Sequence, residues 1–388
     1  MHHDVLAAGR AGSPARVSPR AAVTLFFALD GFAVASFFAR LPTIQDRLQL
    51  SNGRVGLALL ALTVALLIAQ PLAGALAARR GSAPLVTAGG LLVSAVIVAP
   101  AYANSFGALV VSTAAIGLAT GVLDVTINVQ GVAVERRLPT PILSGLHAAF
   151  SLGMLAGALS AGAAAGAGLT PREHLLGVGI VSALATLAWS RALLPAGADA
   201  SASGPAFARP STALASLGAI AFCVLLAEGA IGDWSAIHLA DTLSASEGTA
   251  VAGLAAFSAT MAIGRLFGDR ITQRVGDVAH LRGGALVAAA GIVVAATAPS
   301  VPVAVAGFAL AGVGLSALFP LMVRAASNRG GDAPGPAIAA VSTAGYGGLV
   351  TGPPLVGFVA EATSLRLALG AVLGVLCLVA AALAAAAR

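Results

Sequence analysis

The chain is predicted to be an all-α polytopic membrane protein with twelve transmembrane helices in two pseudo-symmetric six-helix bundles. Three observations carry this. Its 388 residues are 58% hydrophobic and 9% charged, whereas soluble domains carry about 25% charged residues, so water does not accommodate the chain as a globule. A span needs about 20 apolar residues, and the sequence divides into twelve such runs with short polar breaks. The last six runs repeat landmarks of the first six.

Residues 1–20, rich in Ala, Arg, Ser, Gly and Pro, read as a disordered cytoplasmic tail. They are not a signal peptide, because the apolar run that follows is full length and lacks a cleavage-type end. The N-terminal bundle occupies 21–194, with spans at 21–41, 53–78, 83–102, 106–136, 142–167 and 173–194. The segment 195–211 (PAGADASASGPAFARPS) is the longest polar break and reads as a cytoplasmic linker. The C-terminal bundle occupies 212–388, with spans at 212–239, 248–273, 281–298, 302–326, 335–360 and 365–386.

Arginine placement orients these spans. All 21 basic residues are arginine, and alternating from a cytoplasmic N-terminus puts 15 of them inside, 5 outside (Arg40, Arg47, Arg54, Arg172, Arg366) and Arg265 within a span. Positive charge concentrates on the cytoplasmic side of membrane proteins, so both termini are expected there, in a bacterial-type inner membrane. The pI near 10.8 does not imply nucleic acid, since the arginines sit singly or in pairs at span ends. Cys223 and Cys377 lie in apolar runs and support neither a disulfide framework nor a metal site.

The two halves repeat. Gly153, Gly157 and Gly162 match Gly348, Gly352 and Gly357 at an offset of 195, as do Gly117 with Gly312, Arg79 with Arg274 and Gly81 with Gly276. In the first and seventh spans the offset reads as 198, pairing Asp30-Gly31 with Glu228-Gly229 and Leu41 with Leu239. Two six-span halves related by an axis along the membrane normal describe the major facilitator arrangement. The sequence resembles a major facilitator superfamily transporter from about residue 21 to its end. Gly74-Ala-Leu-Ala-Ala-Arg79-Arg80-Gly81 is similar to the family's G-x-x-x-D-R-x-G loop, with Ala78 where the family has Asp. The second half is fuller, with Gly264, Arg265, Gly268, Asp269, Arg270, Arg274 and Gly276. This resemblance implies a cytoplasmic gate built from Gly74, Arg79, Gly81, Arg265, Asp269 and Arg270. The Asp30-Gly31 span, the Asp124/Asn128 span and the Ser144/His147/Ser151 span look most like the fucose-permease-like branch. Its transporters place one acid in the first span and one in the fourth, and they couple sugar uptake to protons.

The stretch Gly117–Arg137 is the most informative. Gly117, Gly121, Asp124, Asn128, Gly131 and Glu135 recur at spacings of three or four and share one helix face. An acid and a carboxamide among valines are expensive in hydrocarbon unless they face a bundle interior or a wet cavity. The bland alternative is that Asp124 only pairs with a neighbouring helix. At 1.5 Å per residue, Asp30 lies about 14 Å into the first span and Asp124 about 18 Å from Arg136, both near the midplane of a ~30 Å core. Carboxylates at one depth repel one another as anions and are cheaper when protonated. Asp30 and Asp124 are therefore the expected proton carriers. Asn128, His147, Glu228, Trp234 and Tyr346 are the expected solute contacts. Asn128 shares the Asp124 face, and Ser144, His147 and Ser151 share a face of the fifth span. Glu228 pairs with Asp30 in the repeat, and the two aromatics offer stacking. Each has a structural alternative: a carbonyl-bonded interfacial histidine, a pairing glutamate, a Trp in the interfacial belt. Gly352-Pro353-Pro354 marks a bending point.

The expected activity is proton-coupled secondary transport of a small polar, sugar-like solute by a monomer, with protons, solute and lipid bilayer as its partners, no cofactor and no catalytic residue. The alternative is efflux of drugs or metabolites by proton antiport, disfavoured because Gly157 precedes Ala158 and not the Pro of exporter motifs. An intramembrane aspartyl protease lacks its G-x-G-D, since Gly229-Ala-Ile-Gly232-Asp233 has one residue too many. A transport-dead sensor lacks a signalling domain. No Walker-type phosphate loop, zinc-ligand spacing or hydrolase triad is present.

Overall fold

The computed structural model describes residues 18–139, 142–195, 215–329 and 334–386. Residues 1–17 of the expected tail and all of the expected linker except Pro195 lie outside the described residues. Among the described residues twelve long helices follow in sequence. They are α1 (Pro19–Leu48), α2 (Asn52–Arg80), α3 (Ala83–Tyr102), α4 (Phe106–Glu135), α5 (Leu143–Gly166) and α6 (Pro171–Trp189) in the first half. The second half holds α7 (Ala215–Ile237), α8 (Ala252–Val275), α9 (Asp277–Thr297), α10 (Val301–Ala326), α11 (Pro334–Ala362) and α12 (Leu365–Leu383). Eleven of them are long and apolar enough to cross a bilayer among the described residues. The other, α11, has the length (29 residues), but Gly345, Gly347, Gly348, Gly352, Pro353 and Pro354 dilute its apolar run.

Local chemistry sets the helix ends. Ser18 accepts from Ala21 N (3.2 Å) and Pro19 takes the first turn, where its missing N–H costs nothing. The first helix therefore starts inside the expected tail. It also outruns its apolar stretch: Arg47 donates to Ala101 O (2.6 Å) and Ala103 O (3.0 Å), and Gln45 to Asn52 Oδ1 (2.9 Å). Helices α2, α4 and α6 begin at Ser51, Ser105 and Thr170, each capping a backbone N–H, with a full capping box at Thr170 and Glu173. At the far end of α2, Gly81 has φ +80° and ψ 158°, and its N–H bonds Ala77 O at 2.8 Å. Gly276 ends α8 in the same way, with φ +83°, ψ 158° and a 2.8 Å bond to Thr272 O. This backbone favours glycine, which accounts for the glycine at both places.

The repeat extends to packing. In the first half α1 packs on α5, α2 on α4, and α3 on α4 and α6; in the second, α7 packs on α11, α8 on α10, and α9 on α10 and α12. Glycines let these backbones touch. A Cβ at Gly117 would run into Leu62 O, and one at Gly312 into Phe257 O, both positions shifted by 195. A Cβ at Gly153 would strike Ala28 O and one at Gly348 would strike Phe222 O, a shift of 194 on the first-helix side. This corrects the offset of 198. Glu228 corresponds to Val34, one helical turn beyond Asp30. The slip is easy because a one-turn shift leaves an Ala/Gly/Leu helix facing the same neighbours.

Outward-facing positions are apolar, with Leu72, Val111, Leu184 and Leu266 each more than half exposed, as a lipid-facing surface requires. The halves meet through two symmetry-equivalent contacts, α2 on α11 and α5 on α8. At the end away from the termini the join is tight. Gly56 lies against Pro353 O, Gly357 against Asn52 O, and Ser51 donates to Glu361 Oε2 (3.1 Å).

Candidate functional site

A cavity of about 290 Å³ lies between the halves. Helices α1, α2, α4 and α5 line it from one side and α7, α8 and α11 from the other. Its walls are largely apolar, including Phe37, Phe38, Phe150, Phe257, Met154 and Met261. Into this surface project four acids (Asp30, Asp124, Glu228, Asp233), one arginine (Arg265), and Gln70, Ser151, Ser258 and Tyr346.

Asp30 is 3% exposed, and its Oδ1 is buried without a hydrogen-bond partner among the described residues. Gly31, next to it, lets α1 lie against the α5 backbone at Phe150. Asp124 is held differently: Gln70 Nε2 donates to its Oδ2 (2.8 Å), and Asn128 Nδ2 to its Oδ1 (3.2 Å) and to its backbone carbonyl (2.8 Å). Two charge-free donors fix the carboxyl while leaving it on the cavity wall. Opposite, Glu228 and Arg265 form an ion pair at 2.9 Å, and Arg265 Nη1 reaches across the join to Ser151 Oγ at 2.7 Å. A partly buried pair of this kind must be hydrogen-bonded on both sides to offset its desolvation. Glu228 Oε2 nevertheless remains buried and unpartnered among the described residues.

Asp30, Asp124, Glu228 and Tyr346 thus meet in one cavity. Three expected solute contacts do not line it. Asn128 spends its amide on Asp124. His147 packs edge-on against Phe27, with ring centroids 5.3 Å apart. Trp234 is fully buried beside Gly357, with Nε1 unpartnered among the described residues; the size that suggested stacking or a belt position instead fills a helix junction. The expected gate also divides. Arg265 sits in the cavity and not at the helix end, because α8 runs ten residues beyond it, to Val275. Arg79 is exposed at the end of α2, beside the turn at Gly81, with Gly74 against Val125 on α4. Arg270 is exposed, with its guanidinium 5.7 Å from the Phe267 ring. The side chains of Asp269 and Ser144 lie outside the described residues.

Sequence reasoning passed over Gln70 and Asp233 as cavity residues, and over a cluster at the sealed end. Gln70 was visible as a carboxamide inside an apolar run, the signal that picked out Asn128. In the cluster, Arg40 is fully buried and pairs with Glu247 of the other half; its Nε donates to His174 Nδ1 (3.3 Å) and Nη2 to Leu169 O (3.1 Å). Counting Arg40 as an outside charge hid this, since its partners lie 129 to 207 residues away.

Comparison with known proteins gives the same fold and a family. The family model described as Major Facilitator Superfamily matches residues 217–388. An uncharacterised MFS-type transporter of Yersinia pestis is 32% identical over 356 residues, 92% of each chain. Membrane protein MosC of Rhizobium meliloti is 29% identical over 90% of this chain and 85% of its own. Among solved structures, a variant of the nucleoside transporter NupG has a TM-score of 0.76 at 12% identity, covering 95% of this chain and 99% of its own. A bacterial homologue of the human lysosomal transporter Spinster, inward-facing and unoccupied, has a TM-score of 0.73 at 18% identity, covering 97% and 98%. With its twelve helices, its repeated halves and a polar cavity between them, the chain belongs to the major facilitator superfamily and is a multi-pass MFS-type membrane transporter.

Proposed function

We propose that this transporter couples movement of a small polar, sugar-like solute to protons by alternating access, in the manner of the fucose-permease-like branch. The observation that carries this is the pair of acids Asp30 and Asp124, which line a cavity between the halves and lack any basic partner among the described residues. A carboxylate in such a site is costly as an anion, so a proton is its natural ligand. Asn128 and Gln70 orient Asp124, while Tyr346, Glu228 and Ser151 offer solute contacts. The arginine bias supports cytoplasmic termini in a bacterial inner membrane. The end sealed by Arg40–Glu247 is then the outer one. The protein works as a monomer, with the boundary between halves in the 195–211 linker.

Uptake into proteoliposomes, assayed with a solute panel with and without an imposed pH gradient, tests this. Gradient-dependent accumulation of a polar solute is expected. Solute movement that ignores the gradient in both directions refutes proton coupling, and gradient-driven expulsion alone favours the antiport reading.

A further inference from the structure

We propose that the solute is seated on the C-terminal half, against the bare backbone of Gly232 on α7 and between Glu228 and Asp233, where it presents hydroxyl groups. The proposal rests on the polar-solute reading above and adds the place and the limit on size. Eight glycines among the described residues would carry a Cβ that meets nothing within 4 Å. Seven of them are exposed; Gly232 alone is buried, and it lines the cavity. Gly229 on the same wall has no such room, since its Cβ would run into Leu349 Cδ2. The open space before Gly232 is therefore internal, and two acids flank it. Glu228 precedes Gly232 by one turn, about 6 Å along the axis, and Asp233 follows directly, its Cα ~3.8 Å away. Both line the cavity. Glu228 Oε1 takes the Arg265 bond at 2.9 Å, and its Oε2 stays buried and unpartnered among the described residues. Asp233, 8% exposed, has no hydrogen bond among them.

The repeat shows that this wall is particular to the second half. With the shift of 194 that relates α1 to α7, Glu228, Gly232 and Asp233 correspond to Val34, Phe38 and Ala39. Phe38, 8% exposed, fills the place that Gly232 leaves open. Conversely, Asp30 corresponds to Val224, and Asp124 corresponds to Phe319 at the shift of 195. The acids assigned to protons thus lie in one half and the open acceptors in the other. Ser258 of α8 lines the same cavity, 1% exposed, with Oγ unpartnered among the described residues. Consecutive spans run in opposite directions, and the Glu228–Arg265 contact fixes the register of α7 against α8. From that contact Asp233 lies five residues toward the sealed end, about 7.5 Å, and Ser258 seven residues, about 10.5 Å, so the two stand within about 3 Å of one level. The wall therefore holds two acceptors and one hydroxyl that both donates and accepts. Solute hydroxyls have the same double capacity, so neighbouring hydroxyls serve all three groups. An ammonium only donates and leaves the Ser258 proton without an acceptor, and a carboxylate only accepts, against two acids.

The test separates the seat from the fold. Gly232→Ala adds one methyl to open space, so it should melt at or above the parent's temperature, as should Gly177→Ala on the exposed surface. Thermal stabilisation of the purified proteins in detergent is recorded with D-galactose, D-xylose and myo-inositol, and with tetramethylammonium and pyruvate, which bear no hydroxyl. Millimolar concentrations avoid the general stabilisation given by excluded polyols. At least one polyol should stabilise the parent and Gly177→Ala. It should bind Gly232→Ala about tenfold more weakly, the weight of one methylene in a pocket, and leave the melting temperature of Gly232→Leu unchanged. The two probes without hydroxyls should have no effect. A lower melting temperature for Gly232→Ala than for the parent, no stabilisation by any polyol, or equal stabilisation of Gly232→Leu overturns the proposal; if Gly232→Leu does not fold, Gly232→Ala decides. In proteoliposomes Gly232→Ala should raise KM and keep the parent's pH profile. Proton-driven uptake with an unchanged KM in that variant would sink the seat and leave the transport reading intact. Polyol binding that Gly232→Leu abolishes, with no proton-driven uptake by the parent, would do the reverse.

Discussion

Gln70 and Arg265 hold equivalent places in the two halves, 195 residues apart, and each donates to a carboxylate of its own half. Gln70 Nε2 reaches Asp124 Oδ2 at 2.8 Å, and Arg265 Nη2 reaches Glu228 Oε1 at 2.9 Å. The same helix position thus anchors a neutral contact in one half and an ion pair in the other. Glu228→Gln leaves the Arg265 guanidinium, 15% exposed, without a counter-ion. Removing one partner of a fully buried pair costs about 3–5 kcal/mol; the partial exposure here reduces the expected loss to about 1–2 kcal/mol. Glu228→Gln with Arg265→Gln should be more stable than Glu228→Gln alone. Unfolding in detergent measures both, and a single variant as stable as the parent would show that the pair contributes nothing net.

Two glycines of similar sequence context should respond in opposite ways. Any Cβ at Gly153 meets the α1 backbone at Ala28, whereas one at Gly177 meets nothing within 4 Å. Gly153→Ala must separate α1 from α5 and should lose about 1–3 kcal/mol or the folded protein altogether. Gly177→Ala gains helix propensity and should be neutral or up to about 1 kcal/mol more stable. Melting temperatures of the two variants give the comparison.

Particular residues show why some of this was legible in the sequence. The spans, their glycine contacts and the turns at Gly81 and Gly276 are local or repeated features, and a constant offset exposes them. Asp30 and Asp124 stood out because an acid is rare in an apolar run. The register of α1 against α7 did not, because alanine, glycine and leucine recur at helical spacing and hide a one-turn slip. Arg265 was assigned to the cytoplasmic gate because a motif placed it there by spacing, while its partners Glu228 and Ser151 are 37 and 114 residues away. Asn128 shares the Asp124 face as the periodicity implies, yet periodicity does not say that its amide turns back onto Asp124.

The sealed end supplies a conformational prediction. Arg40 pairs with Glu247 across the halves, and its Nε–H donates to His174 Nδ1, so His174 is neutral with its hydrogen on Nε2, donated to Ser160 Oγ (3.1 Å). Glu247→Gln removes the charge that holds Arg40 and should shift the sealed-to-open ratio toward open by about tenfold, or ~1.4 kcal/mol. Spin labels at the exposed Asn104 and Thr363, on different halves of that end, should show a longer distance in this variant. Acidifying that side acts in the same direction, because protonating Nδ1 removes the acceptor and sets a second cation beside Arg40. Distances unchanged by both treatments would mean that the helix contacts alone keep the end shut.

Asp124 supplies the test of coupling. Its two oxygens accept from Gln70 and Asn128, so its position depends on shape and hydrogen bonding more than on charge. Asp124→Asn keeps the shape. The new amide would face the Gln70 amide donor, and Gln70 resolves this by turning its carboxamide over to present oxygen, a rearrangement that leaves both helices in place. The variant should therefore fold within about 1 kcal/mol of the parent, the usual scale of one exchanged hydrogen bond. What it lacks is a group that can take up and release a proton at the cavity wall. Accumulation driven by a pH gradient should be abolished, while solute binding and counterflow exchange remain measurable, since neither needs the empty carrier to return. Asp30 stays titratable in this variant, so residual gradient-dependent uptake with a changed pH profile would assign it a share of the coupling. Accumulation with the parent's rate and pH dependence would instead leave Asp124 as a structural residue, tying α2 to α4 through Gln70.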